Sequence, residues 1–328
     1  MEYRVLNHQH LFGEGEYFPQ CHASTLALLP DGVLATAWFG GTHEKSPDVA
    51  IWFSRRMEGR WTVPVKAADA EGIPCWNPVL LYRDGILTLF YKVGKEIPEW
   101  KTFVRRSSDG GIHWSEPEEL VTGDLSGGRG PVKNKCICLH DGTILAPASV
   151  ETADRWDCFA DRSTDGGKSW MKGTFMPIDH ASLQGKGIIQ PTFWEDENHI
   201  LHALMRSTEG WIFQTRSTDG GIHWEPVHKT SLPNNNSGLD AVRLEDGRIV
   251  LVCNPISGNW ASRATIAFLV SEDQGETWSD PIILEHLDTD YNQHSAEFSY
   301  PAVIADGTRI FLTYTWKRKS ISFWEIQL

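Results

Sequence analysis

One eight-residue phrase recurs four times in this chain: SSDGGIHW from Ser107, STDGGKSW from Ser163, STDGGIHW from Ser217 and SEDQGETW from Ser271. The serines are 56, 54 and 54 residues apart. A fixed period of this length marks a supersecondary unit that must be stacked, because one copy cannot bury its apolar face alone. A weaker fifth copy, SRRMEGRW from Ser54, stands 53 residues before Ser107 and keeps the distance from serine to tryptophan. In the phrase S-x-D-x-G-x-x-W, Asp and Gly suit a tight turn, Ser can bond local backbone and Trp supplies a large apolar body. This is the chemistry of a structural fastener. A calcium or sugar site would need more acidic ligands than each copy supplies.

A second signal runs at nearly the same period. Apolar runs are broken by Asp-Gly at Asp31, Asp84, Asp141, Asp246 and Asp306, with Asp196 to Asn198 filling the one gap. Asp-Gly between β-rich segments is the strongest short hairpin signal, since both turn positions tolerate positive φ. Six hairpins, each followed by another strand, a turn phrase and a further strand, predict six four-stranded antiparallel sheets. No long stretch carries a helical period. Set radially, such sheets form an all-β, six-bladed β-propeller, one domain over residues 1–328. The last blade lacks the phrase. It must hold a strand from WKRKSISFWEIQL and is expected to recruit MEYRVLNHQHLF to close the ring.

A net charge of -13 argues against a nucleic-acid or anionic-membrane surface, whose footprint is basic. The first residues show no basic segment followed by an apolar one, and no run of about 18 apolar residues occurs, so a cytoplasmic protein without a membrane span is expected. Six scattered cysteines include one C-x-C, Cys136 and Cys138, with no second pair to complete a zinc site. Reduced thiols are expected, and neither a metal nor a cofactor. The stretch GGRGPVKNK is glycine-rich but lacks the strand-loop-helix context of a phosphate loop.

In a propeller the first strand of each blade lies innermost, so residues six to nine before each Asp-Gly should converge on one face of the channel. They are His22, Trp76, Asn77, Lys133, Lys135, Gln190, Asp240, Glu297 and Tyr300. Buried polar groups must be paired or functional, and a set this polar at six core strands points to a site.

The turn phrases are similar to the Asp-box (BNR) repeats of the sialidase superfamily, and the resemblance spans essentially the whole chain. It implies an arginine triad for a substrate carboxylate, a tyrosine nucleophile with a glutamate base, and an aspartate acid-base residue. On the positions of this chain, Arg206 and Arg263 match two of the arginines and Tyr300 the nucleophile. Asp48 matches the acid-base residue, with Glu44 as a rival. His22 stands where the first arginine belongs and Gln190 where the glutamate belongs. Histidine is a weaker, titratable donor, and a phenol without its base is a poor nucleophile. Glu297 could substitute as base only if a bulge brings it to the same strand face as Tyr300.

An acidic oligosaccharide is the expected partner, with Arg206, Arg263, Arg129, Lys133 and Lys135 as its cationic contacts and Gln190, Asn77, Trp76 and Asp240 around them. Trp76, Trp156 and Trp260 are candidate stacking platforms, and His294 is a further acid-base candidate. Three readings stay open: a sialidase-like exo-glycosidase using Asp48 with Tyr300 or water, a uronic-acid lyase using Tyr300 and His22, and a glycan-binding propeller without catalysis. The sequence leaves oligomeric state open.

Overall fold

The computed structural model describes residues 2–288 and 296–328. Its strands form six antiparallel sheets set radially as a six-bladed β-propeller, five of four strands and one of five. The innermost strands are Gln20–Leu28, Cys75–Arg83, Ile137–Cys138, Ile188–Glu195, Asp240–Arg243 and Phe298–Asp306. Each turns at its predicted hairpin into the second strand of its blade. At Asp84 and Gly85 both φ angles are positive, 51° and 80°, the backbone that a two-residue type I′ turn requires. The extra strand, Val65–Ala68, pairs with Ala50–Met57 in the first blade.

The ring closes as expected. Arg4–His10 forms the outermost strand of the sixth blade and pairs antiparallel with Ser320–Gln327, Arg4 facing Gln327. Among the described residues no helix is long and apolar enough to cross a membrane.

Each turn phrase follows the third strand of its blade and closes on itself. Ser107 Oγ donates to Asp109 Oδ1 (2.7 Å) and accepts from the Gly111 N–H (2.8 Å). Asp109 Oδ1 then accepts from the N–H groups of Ile112 and His113. The other three copies repeat the Ser-Asp and Ser-Gly bonds. Trp114 packs edge-on against Phe53 of the preceding blade at 5.4 Å, and Trp170 does the same with Phe90 at 5.9 Å. A Cβ on Gly111 would lie 2.4 Å from the Phe53 ring, and its φ is +89°. Glycine is required there by both backbone and neighbour. The phrases are inter-blade fasteners, remote from the channel.

Four inner strands share one irregularity. Their pairing register slips at His22/Thr25, Trp76/Val79, Ile189/Thr192 and Ser299/Ala302. At each slip sits a left-handed residue: Ala23, Asn77, Gln190 or Tyr300, with φ between 39° and 56°. In three of the four the next residue is proline, which has no N–H to lose from the ladder. A bulge bends a strand and re-aims its side chains. Here the bulges turn residues toward one mouth of the channel.

Candidate active site

A cavity of about 120 Å³ opens at that mouth, lined by His22, Trp76, Asn77, Gln190, Arg206, Arg263 and Tyr300. Glu44, Trp100, Glu151, Trp260 and Arg318 line it as well, with Ile97 and Ile189 as its aliphatic part. Arg206 is 2% exposed. Its Nε donates to Asn236 Oδ1 (2.9 Å), and its Nη1 donates both to Gln190 Oε1 (3.0 Å) and to Tyr300 Oη (2.8 Å). Because the phenol oxygen accepts from Arg206, its own proton remains available to a ligand. The Asn77 amide makes no hydrogen bond to another described residue and is likewise available.

Arg263 and Arg318 share one buried carboxylate. Arg263 Nη1 donates to Glu297 Oε1 (2.8 Å), Arg318 Nε to Glu297 Oε2 (2.9 Å), and Ser299 Oγ to Oε1 (2.6 Å). Burial alone would push the Glu297 carboxyl up, but Arg318 and Arg263 hold it well below the usual carboxylate range. A bulge does fall at Tyr300, three residues after Glu297, yet Glu297 is spent on the two guanidiniums. It is their counter-ion, and a base role for it is not what this geometry offers.

His22 is 2% exposed and packs against Tyr300, ring centroids 4.1 Å apart. Its Nδ1 lies 2.8 Å from Thr315 Oγ1, which also accepts from the Ala23 N–H, so Nε2 is the ring nitrogen left for a ligand. Burial, then Arg318, Arg263 and Lys133, drive its pKa well below the ordinary histidine value against the opposing pull of Glu297. The imidazole is neutral at neutral pH.

Four expected contacts are committed elsewhere. Arg129 makes a bidentate pair with Asp161 (2.7 and 2.9 Å) and also donates to Trp170 O, away from the pocket. Lys135 Nζ binds both oxygens of Asp240 (2.9 and 3.0 Å) and Ala241 O. Asp240 also accepts from Thr192 Oγ1 and the Val303 N–H, so this pair stitches four blades around the channel. Lys133 is buried, donating to Asn134 Oδ1, Leu239 O and Pro301 O beneath the Tyr300 ring. Burial brings its pKa down to about 7. It supports Tyr300 from behind and does not line the pocket.

Asp48 is exposed and accepts from the Thr42 N–H (2.9 Å) and Oγ1 (2.8 Å), outside the pocket wall. Its rival Glu44 does line the pocket but is paired with Arg318 Nη1 (2.7 Å). Trp156 and Trp260 both lie near Arg206, at 6.0 and 5.7 Å from ring centroid to guanidinium carbon. Trp76 is buried, its Nε1 donating to Gly94 O. His294 lies outside the described residues.

Two wall residues went unnoticed in the sequence. Glu151 ends the second strand of the third blade, Ile144–Glu151, and burial raises its pKa against the pull of Arg206 and Lys186. Arg318 sits in the turn between Arg309–Trp316 and Ser320–Gln327. The signal was available: second strands run back to the mouth, so their last residues face it as the first residues of inner strands do. That arithmetic, which places Arg206 near the end of Leu201–Ser207, reaches Glu151 and Arg318 as well.

The BNR repeat-like domain matches residues 32–312. No protein of curated function matches the sequence. Among solved structures, a protein of unknown function from Dyadobacter fermentans is similar at 16% identity and a TM-score of 0.78, covering 99% of each chain. The NanB sialidase from Streptococcus pneumoniae is similar at 12% identity and a TM-score of 0.75, over 98% of this chain and 70% of the other. The intramolecular trans-sialidase from Ruminococcus gnavus is similar at 14% identity and a TM-score of 0.71, over 97% of each. At these identities the likeness is one of fold.

Proposed function

The chain belongs to the BNR repeat-like domain family and has a sialidase-like fold, and on that premise we propose that it is a glycosidase cleaving the bond to an acidic sugar. One observation carries the reading. A single small pocket gathers three guanidiniums, Arg206, Arg263 and Arg318, beside a phenol hydroxyl and a carboxyl whose proton affinity is raised. Arginines paired in this way suit a planar carboxylate. Arg318, coming from the sixth blade, adds a third guanidinium to the wall beside neutral His22, its charge shared with Glu297 and Glu44.

In this reading the substrate carboxylate lies against Arg206 and Arg263. Glu151, whose proton affinity burial raises, donates its proton to the leaving glycosidic oxygen. Tyr300 Oη, oriented by Arg206, or a water beside it attacks the anomeric carbon, and the nucleophile's proton passes to neutral His22. Where Tyr300 attacks, a water then displaces the phenolate from that carbon, releasing the sugar and returning a proton to Tyr300. A cavity at the small end of ligand sites suits the terminal residue of a glycan more than an interior run.

A second reading is favoured by Gln190, which leaves Tyr300 without a carboxylate base, and by the neutral His22 packed against it. There His22 removes the proton α to the clamped carboxylate. The carbon–oxygen bond at the next carbon breaks, and Tyr300 or Glu151 protonates the departing oxygen.

The test is a panel of acidic oligosaccharides and their neutral counterparts, followed by mass detection on the protein and on Arg263→Ala. Cleavage restricted to acidic substrates and lost in the variant supports a carboxylate-directed enzyme. Equal cleavage of neutral substrates, or saturable binding without cleavage, overturns it.

A further inference from the structure

Outside the pocket, the described residues place His8, His10 and Glu285 so that one ligand atom from each lies within 4.8 Å of the others. His8 and His10 are two residues apart on one strand, Arg4–His10, and therefore share a face. That strand is the outermost of the sixth blade. Glu285 comes from Ile282–His286, the outermost strand of the fifth. We propose that these three residues bind a first-row divalent cation, zinc foremost, which clamps the two blades together.

The surroundings are those of a built ligand set. Both Glu285 oxygens are aimed by donors on one neighbouring strand: Tyr314 Oη donates to Oε1, and Trp316 Nε1 to Oε2 (3.0 Å). Trp324 Nε1 in turn donates to Tyr314 Oη (2.8 Å). Outer donors of this kind fix metal-binding carboxylates and sharpen their affinity. Both imidazoles are held against tryptophans: His8 stacks on Trp324 at 3.8 Å, and His10 packs tilted, at 48°, against Trp316 at 4.5 Å. Their planes cross at 75°, so in-plane lone pairs can converge. His8 Nε2 stands 3.9 Å from Glu285 Oε1, and among the described residues its one hydrogen-bond contact is Ser322 Oγ at 3.2 Å. That gap exceeds a hydrogen bond, yet two ligands about 2.0–2.2 Å from one ion span it. Two imidazoles and a carboxylate leave further positions to water, a set that zinc and its neighbours accept.

A second group, His140, Glu195 and His199, serves as the internal control. Its imidazoles stack nearly parallel, 3.5 Å apart and 22° between planes, so their lone pairs do not converge. Both Glu195 oxygens already accept from His140.

Calorimetric titration with zinc chloride and thermal melting should be run on the protein, His10→Asn, Glu285→Gln, Trp316→Phe and His140→Asn. The expected result is one saturable site per chain and a midpoint that rises with zinc. His10→Asn and Glu285→Gln lose both, Trp316→Phe weakens binding about 10- to 100-fold, and His140→Asn changes neither. Melting without zinc shows whether each variant still folds, and His10, on an exposed strand face, is the variant that should. With cobalt replacing zinc, the visible spectrum reports nitrogen ligation directly and should vanish in His10→Asn. The proposal is overturned if the protein shows no saturable uptake, or if uptake survives His10→Asn and is lost in His140→Asn.

Discussion

Replacing Glu297 with Gln keeps the side chain's shape and removes the one charge that Arg263 and Arg318 share. The carboxylate is 5% exposed and the two guanidiniums 15% and 17%, so solvent does little to compensate. Whichever way the new amide turns, its NH₂ faces a guanidinium N–H that had an oxygen before. Removing one partner from a buried ionic group costs about 3–5 kcal/mol, because the charge left behind is uncompensated; here that charge is Arg263, since Arg318 keeps Glu44 at 2.7 Å. With an unfolding entropy of about 2.1 cal/mol/K per residue, a 328-residue chain should lose roughly 4–7 °C of Tm at neutral pH. The pH dependence carries the diagnostic sign. Glu297 has a depressed folded-state pKa, so its contribution is complete above the ordinary carboxylate value of about 4.3 and is lost as pH falls below it. The gap between protein and variant should therefore narrow in acid. Calorimetric scans from neutral pH downward test both halves. A Tm change under about 1 °C, or a gap that stays constant into acid, would refute the role of Glu297 as counter-ion to both arginines.

Arg206→Ala should weaken substrate or transition-state binding by about 2–5 kcal/mol, read as the ratio of kcat/KM values. An unchanged ratio would remove Arg206 from the clamp. Glu151→Gln should abolish the alkaline limb of the pH–rate profile, since a general acid loses activity as pH rises through its own, here raised, pKa. Retention of that limb would exclude Glu151 as the acid. His22→Ala should lose about a hundredfold in turnover at neutral pH, and near-native turnover would make His22 scaffolding.

The propeller was legible because its signals are local and repeated: six hairpin turns with positive φ, and a serine and aspartate that bond their own backbone. The site was legible in part. Positions counted back from each hairpin reach the mouth wherever the inner strand begins there, which is why His22, Asn77, Gln190 and Tyr300 were found together. The count says where a residue stands and nothing about its partners. Lys135 and Asp240 neutralise each other, Arg129 is taken by Asp161, and Glu297 is taken by two arginines; each pairing joins residues 21 to 105 positions apart. Asp48 was placed by likeness of position, and its side chain instead caps Thr42. Three of the bulges left a trace that went unread, an X-Pro pair inside a strand at Asn77, Gln190 and Tyr300.

The most direct test of the central claim is cleavage in heavy-oxygen water. An acidic oligosaccharide identified from the panel is digested to completion in labelled water, and the released sugar is weighed by mass spectrometry while ultraviolet absorbance is followed. Hydrolysis in the Arg206, Arg263 and Arg318 pocket predicts one labelled oxygen at the anomeric carbon of the acidic product and no new absorbance. An unlabelled product that absorbs through a new carbon–carbon double bond would contradict hydrolysis and assign the pocket to elimination.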